Sequence, residues 1–228
     1  MLHPFRPPYS LWIALFFSAG HLSASLISWE FSQPVTSSSE IITTGTLVSA
    51  VNEGGATVTL SGAGGASVEF TGGSSFGSGA NGLLGGGDTG DNAFNTLLDT
   101  VSFGGGSGTT SFDLGAFTPG ESYHIQIFFS DQRSSSRDRV MTFGGSTGGA
   151  TVDLEADPDN TTGSPFGSYA LGVFTADGVD PDLTLTPNGF GNSHINAYQI
   201  RSIGVVPEPT TLGLIGLGTL ALLRRLRK

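Results

Sequence analysis

Residues 122–130 read SYHIQIFFS. Taken with period two, Tyr123, Ile125, Ile127 and Phe129 fall on one face, and His124, Gln126, Phe128 and Ser130 on the other. Aromatic and β-branched side chains in that alternation predict a strand with one face in a core. Pro119-Gly120, just before it, predicts the turn that delivers the chain into the strand.

Weaker versions of the signal predict strands upstream at 27–31, 46–51, 57–60, 67–70 and 110–114. Downstream they predict strands at 139–143, 151–154, 169–175, 183–186 and 195–203. Turns rich in Gly, Asp and Pro separate them. That is the pattern of an all-β chain folded as an antiparallel, jelly-roll-like sandwich. One stretch departs from it. In DTGDNAFNTLLD, 88–99, Phe94, Leu97 and Leu98 are spaced i, i+3, i+4, which predicts a short helix over 92–98, above an open end of the sandwich. Residues 62–90 are rich in Gly and Ser, but Phe70, Phe76, Leu83 and Leu84 interrupt them, so a long loop lying on the sandwich is expected in place of a linker.

Composition agrees with short strands and tight turns: 36 of the 228 residues are Gly and 16 are Phe. The chain has no Cys, which excludes disulfides and thiolate metal sites. Between residues 26 and 206 only Arg133, Arg137, Arg139 and Arg201 are basic, against 18 carboxylates, a balance of −14. Neutralising phosphates takes clustered Lys and Arg, so nucleic acid is excluded as a partner.

The two ends differ from the middle. The first 25 residues carry Arg6, an apolar stretch at 11–19 and then small residues ending at Ser25. They predict a signal peptide for Sec-type export, cleaved after Ser25. Residues 26–204 then form the β-sandwich domain. The chain closes with VVPEPTTLGLIGLGTLALLRRLRK, 205–228. The uncharged run 211–223 would make a helix of only about 20 Å against roughly 30 Å of hydrocarbon. It lacks a polar face, and Arg224, Arg225, Arg227 and Lys228 follow it as a cytoplasmic stop. A short transmembrane helix of this kind fits a temporary hold on the inner membrane.

Pro207-Glu208-Pro209, an apolar stretch and terminal arginines together resemble the PEP-CTERM sorting signal of exported bacterial proteins. The resemblance implies recognition by an exosortase, a membrane-embedded cysteine transpeptidase, with processing near Pro207, Glu208 and Pro209. It also implies a host that makes extracellular polysaccharide or biofilm matrix. The prolines flanking Glu208 keep the segment extended, as a protease-like site requires. A second resemblance runs over residues 88–201 through TGD, FTPG, IQIFFSD, FGSYALGVFTAD and NAYQIR. It is similar in layout to sandwich-type PEP-CTERM proteins and, distantly, to malectin-like and other jelly-roll carbohydrate-binding modules. It implies the sandwich fold and suggests a glycan ligand.

Among candidate sites, DQRSSSRDR, 131–139, is the one cationic stretch of the middle, directly after the strongest strand. Asp131, Arg133, Arg137 and Arg139 could meet sugar hydroxyls or carboxylates through their forks. The alternative is an exposed loop that pairs with itself. Carboxylates gather at Asp88 and Asp91, at Glu155, Asp157 and Asp159, and at Asp177, Asp180 and Asp182. The last group is the candidate for a structural Ca²⁺, the one cofactor the sequence suggests, although Asp also caps turns in its own right. Gly73-Ser74-Ser75-Phe76-Gly77 matches the G-x-S-x-G pattern of serine hydrolases, which needs a strand before it and a helix after it. In so Gly- and Ser-rich a stretch the pattern arises by chance. Trp29 and Tyr198 are either stacking platforms for a ligand or core aromatics. The sequence therefore reads as a non-enzymatic exported surface or matrix protein with a glycan-binding or structural role. The alternatives are a permanently tail-anchored envelope protein and a glycoside-active enzyme, the latter disfavoured because no catalytic constellation stands out.

Overall fold

The computed structural model describes residues 26–76, 80–83, 88–104, 106–133, 135–136, 138–145, 148–159, 165–189 and 191–205. The expected signal peptide, the sorting tripeptide, the transmembrane helix, its basic stop and Arg137 lie outside these residues. Early strands are β1 (Ser28–Pro34), β2 (Thr46–Glu53), β3 (Val58–Ser61), β4 (Ser67–Gly73) and β5 (Ala80–Leu83). After helix α1 (Asn92–Asp99) come β6 (Thr100–Gly104), β7 (Thr110–Asp113), β8 (Glu121–Phe129), β9 (Val140–Gly145) and β10 (Val152–Glu155). The chain finishes with β11 (Ser168–Thr175), β12 (Asp182–Asn188), β13 (Ser193–Ile195) and β14 (Ala197–Val205).

A seven-stranded sheet in the order β1-β11-β8-β14-β2-β4-β3 faces a four-stranded sheet in the order β10-β9-β12-β7. The strand at 122–130 is β8, near the middle of the large sheet. Its predicted inner face holds: Tyr123, Ile125, Ile127 and Phe129 meet Met141, Phe143, Leu154, Leu183 and Leu185 of the small sheet in the main core. Among the described residues all pairings are antiparallel except β2 with β4, parallel over three residues from Val51↔Thr71 to Glu53↔Gly73. A small third sheet, β13-β6-β5, was not foreseen.

The reverse face of the large sheet is covered too. Phe128, Ala197 and Ala50 carry a second core there with Leu60, Val68, Phe70, Phe94, Leu97 and Leu98. Helix α1 forms where its spacing predicted, capped by the Asp91 carboxylate, which accepts from the backbone of Ala93 (3.0 Å) and Phe94 (3.1 Å). It lies on this reverse face and not over an open end, because Phe94 finds Phe128 edge-on at 6.4 Å. Part of this face is polar. Gln126, Gln199 and Arg201 point at the strap that leads from the 3₁₀ turn Ser38–Glu40 into β2. Gln126 accepts from Ile42 N and donates to Glu40 O. Gln199 donates to Ile42 O, and Arg201 donates to the carbonyls of Thr43, Thr44 and Gly45. Strap carbonyls turned toward the sheet need donors, and this ladder supplies them.

The expected single strand at 195–203 is divided. Asn196 leaves the ladder between β13 and β14, and its side chain accepts from Ser130 N (2.8 Å) and donates to the carbonyls of Leu98 (2.6 Å) and Thr100 (3.1 Å). One fully buried amide thus fastens the end of α1 to the end of β8.

Candidate functional site

The loop after β8 contains the densest charge cluster among the described residues. Asp131 is fully buried, and Arg133 clamps it from outside through Nε (2.8 Å) and Nη2 (2.7 Å). Arg139, itself buried, donates from Nη1 at 3.2 Å and from Nη2 to Asn192 O. Backbone bonds hold the loop from below: Asp131 N donates to Ala156 O (3.2 Å), and Ala156 N donates to Arg139 O (2.9 Å). Burial alone would push the Asp131 carboxyl up, but the Arg133 hydrogen bond and charge, with Arg139 behind them, hold it below the usual range. The loop pairs with itself, yet around a buried carboxylate and not on an exposed face. Arg133 is left 46% exposed, and two of its guanidinium nitrogens are committed to Asp131.

His194 completes this end of the molecule, stacked on Phe129 at 4.5 Å. Burial, with the Arg139 charge added to it, lowers its pKa to about 3, so it is neutral here. Sequence reasoning did not join His194 to the 131–139 loop. It lies some sixty residues away, and no local pattern brings it back.

The other candidates have the following surroundings. Ser75 donates to the Glu53 carboxylate through its hydroxyl, and through its backbone N–H at 2.7 Å. Glu53 is fully buried, and burial raises its pKa against those hydrogen bonds. The hydroxyl of the G-x-S-x-G pattern is therefore engaged by an acid. Asp88 accepts from Gly90 N and Asn95 Nδ2, both 2.9 Å, and Asp91 caps α1, so this acidic pair shapes a turn and a helix start. Asp177 accepts from Val179 N at 2.9 Å in the turn after β11; Asp182 opens β12 opposite Asp113, and Asp180 lies between them. Among the described residues no three His, Asp or Glu side chains are grouped as a metal ion would need. Tyr198 is core, 5.5 Å from Phe112, and Trp29 packs over Gly172, where a Cβ would fall 2.8 Å from the indole ring. A shallow groove of about 200 Å³ lies between β1 and β10, lined by Gln33, Pro34, Asp153, Glu155 and Pro158 among others.

None of these arrangements assembles a nucleophile, a base and an orienting partner. The end of the chain is more specific. Residues 205–228 match the PEP-CTERM protein-sorting motif. The chain carries a PEP-CTERM sorting signal. Such a motif implies export, membrane-associated sorting and handling by an exosortase, as the tripartite order of the sequence implied. No curated protein matches the chain. Among solved structures, a crystal structure of Bacteroides uniformis beta-glucuronidase is similar at 17% identity and a TM-score of 0.45, over 68% of this chain and 18% of that one. The chain spans less than a fifth of that enzyme, and a likeness of this degree carries no argument about activity. Among the described residues no helix is long and apolar enough to cross a membrane.

Proposed function

We propose that this protein is an exported, non-enzymatic surface or matrix component, held across the inner membrane by residues 211–223 until an exosortase cuts near Pro207-Glu208-Pro209. The PEP-CTERM match over 205–228 carries this reading. The released sandwich then serves the extracellular matrix, where polysaccharide is its candidate partner. Its candidate contact is the 131–139 loop. Asp131 fixes the exposed Arg133 in one orientation, and a guanidinium held in that way keeps donors for sugar hydroxyls or carboxylates at low entropic cost. Arg139 is a positioning residue in this reading, because its guanidinium is buried against Asp131.

The test is mass spectrometry of secreted and membrane fractions from a host with a matching exosortase. The mature protein is expected to lack residues beyond about 209, and Glu208→Ala is expected to leave full-length chain in the membrane. Recovery of wild-type protein from the envelope with Lys228 intact would instead establish a permanent tail anchor. For the glycan contact, Arg133→Ala should abolish retention on matrix polysaccharide while Arg133→Lys restores part of it. Equal retention of all three proteins would remove the loop from the reading.

A further inference from the structure

β14 ends at Val205, still paired with Glu121 of β8, and the sorting motif begins at that residue. Only residues 206–210 separate the sheet from the apolar run 211–223. At about 3.5 Å per residue five residues can reach at most roughly 18 Å. An anchor at 211–223 would therefore keep this end of the large sheet close to the bilayer. Four neighbouring strands terminate or begin there: β11, β8, β14 and β2.

Among the described residues, five of the seven exposed large apolar side chains sit at that end: Leu47 (37% exposed), Val48 (48%), Val179 (41%), Ile203 (36%) and Val205 (68%). Two of them are placed by irregularities in the ladder. The register passes from Ser49↔Ile200 to Leu47↔Arg201, which leaves Val48 unpaired, and from Ser202↔Tyr123 to Gly204↔Ser122, which leaves Ile203 unpaired. Bulges re-aim side chains and commonly mark functional edges. Val179 joins the row through the turn after β11, which is tied to the start of β8 by Gly120 N to Ala176 O (2.7 Å) and Ala176 N to Glu121 O (2.9 Å). Apolar side chains concentrated at one end of a domain with a −14 balance call for a partner.

We infer that this end of the sheet rests on the lipid surface of the inner membrane while the chain is anchored. The inference rests on the transient-anchor reading, and it supplies what the anchor lacks. A 13-residue span is shorter than the hydrocarbon it must cross, and a short span draws its flanking residues into the interface. Leu47, Val48, Ile203 and Val205 would then meet the headgroup boundary and share the anchoring. Asp177, Asp180 and Glu121 lie at the same end, so contact favours zwitterionic over anionic lipid. Once the tail is cut, five partly exposed side chains on an acidic domain are too little to hold it, and the sandwich leaves.

The absence of Cys makes the test direct. Full-length chain bearing Val48→Cys, Val179→Cys or, at the far end of β8, Ser135→Cys is labelled with an environment-sensitive fluorophore. It is then reconstituted in phosphatidylethanolamine–phosphatidylcholine vesicles carrying spin-labelled phosphatidylcholine. Flotation of the chain with labels at 48 and 179 quenched at least about twofold more than at 135 is expected, weakening when phosphatidylglycerol is added. Flotation with three equally unquenched labels overturns the docking surface and leaves the anchor intact. Failure to float overturns the anchor and the docking surface together. Shielding of residues 48 and 179 in detergent, without lipid, would assign the patch to a second copy and overturn the lipid contact.

Discussion

His194 shows how a single buried side chain sets the response to acid. Its Nε2 has no hydrogen-bond partner, its ring lies on Phe129, and its pKa falls from 6.5 to about 3. The unfolded chain takes up a proton near pH 6.5 and the folded one does not. Stability from this group is therefore complete above pH 6.5 and is lost as pH falls toward 3, by up to about 1.4 kcal/mol per pH unit. Glu53 acts in the opposite sense. Burial raises its pKa, so the folded state keeps its proton longer and loses relative stability as pH rises through that range. Asp131, held below the usual carboxylate range, withdraws its contribution only in stronger acid. The three overlap, and the acid limb of the wild type alone does not separate them. His194→Phe keeps an aromatic ring against Phe129 and removes one titration. Denaturant melts across pH 4–7 should show the wild type losing stability relative to this variant as pH falls. Parallel curves would mean that the imidazole is protonated in the fold.

At the scale of elements, period-two alternation revealed most of the strands because one face of each enters a core. β6 and β13 escaped it for a physical reason. Their buried positions include Thr100, Ser102, Ser193 and His194; the three hydroxyls bond Asn52, Ser74 and backbone carbonyls from other parts of the chain, and such polar positions leave no hydrophobic rhythm. The break at Asn196 was equally hidden, since its partners at Leu98 and Thr100 lie nearly a hundred residues away. The self-pairing of the 131–139 loop was legible from acids and arginines at close spacing. Its burial was not, because Ala156 and Asn192 provide it from other parts of the chain. The strap before β2 is the element most dependent on one side chain. Arg201 donates to three successive strap carbonyls at 3.0–3.1 Å. Arg201→Met fills much of the same space without donors, and should cost about 2–3 kcal/mol, or roughly 5–10 °C in Tm for a domain of this size. Hydrogen exchange should quicken across residues 35–45 before the rest of the sheet. Uniform loosening of the whole sheet would assign Arg201 to the core and not to the strap.

Across the whole molecule, the sorting motif is attached to one of the best-embedded strands. β14 pairs with β8 on one side and β2 on the other, and both sheet faces of this strand are covered, by Tyr198 and Ile200 in the main core and by Ala197 in the second. If the tail is removed as proposed, the domain must survive its loss, and a central strand that ends before the proposed cut is one way to secure this. All the ladder bonds of β14 close at or before Val205, so cleavage near Pro207-Glu208-Pro209 removes none of them. A chain spanning 26–209 should therefore melt within about 2 °C of the full-length chain and give an all-β circular dichroism spectrum. A chain ending at 196 loses β14 and the Gln199–Arg201 ladder with it, and should show no cooperative transition at all. Because processing requires no opening of the sheet, Arg201→Met should also be cut at the wild-type rate in spite of its lower stability. If 26–209 melts well below the full chain, residues beyond 209 pack on the folded domain. If Arg201→Met is cut faster, the sorting segment is reached only through partial unfolding. Either result would show that the fold and the address are not independent.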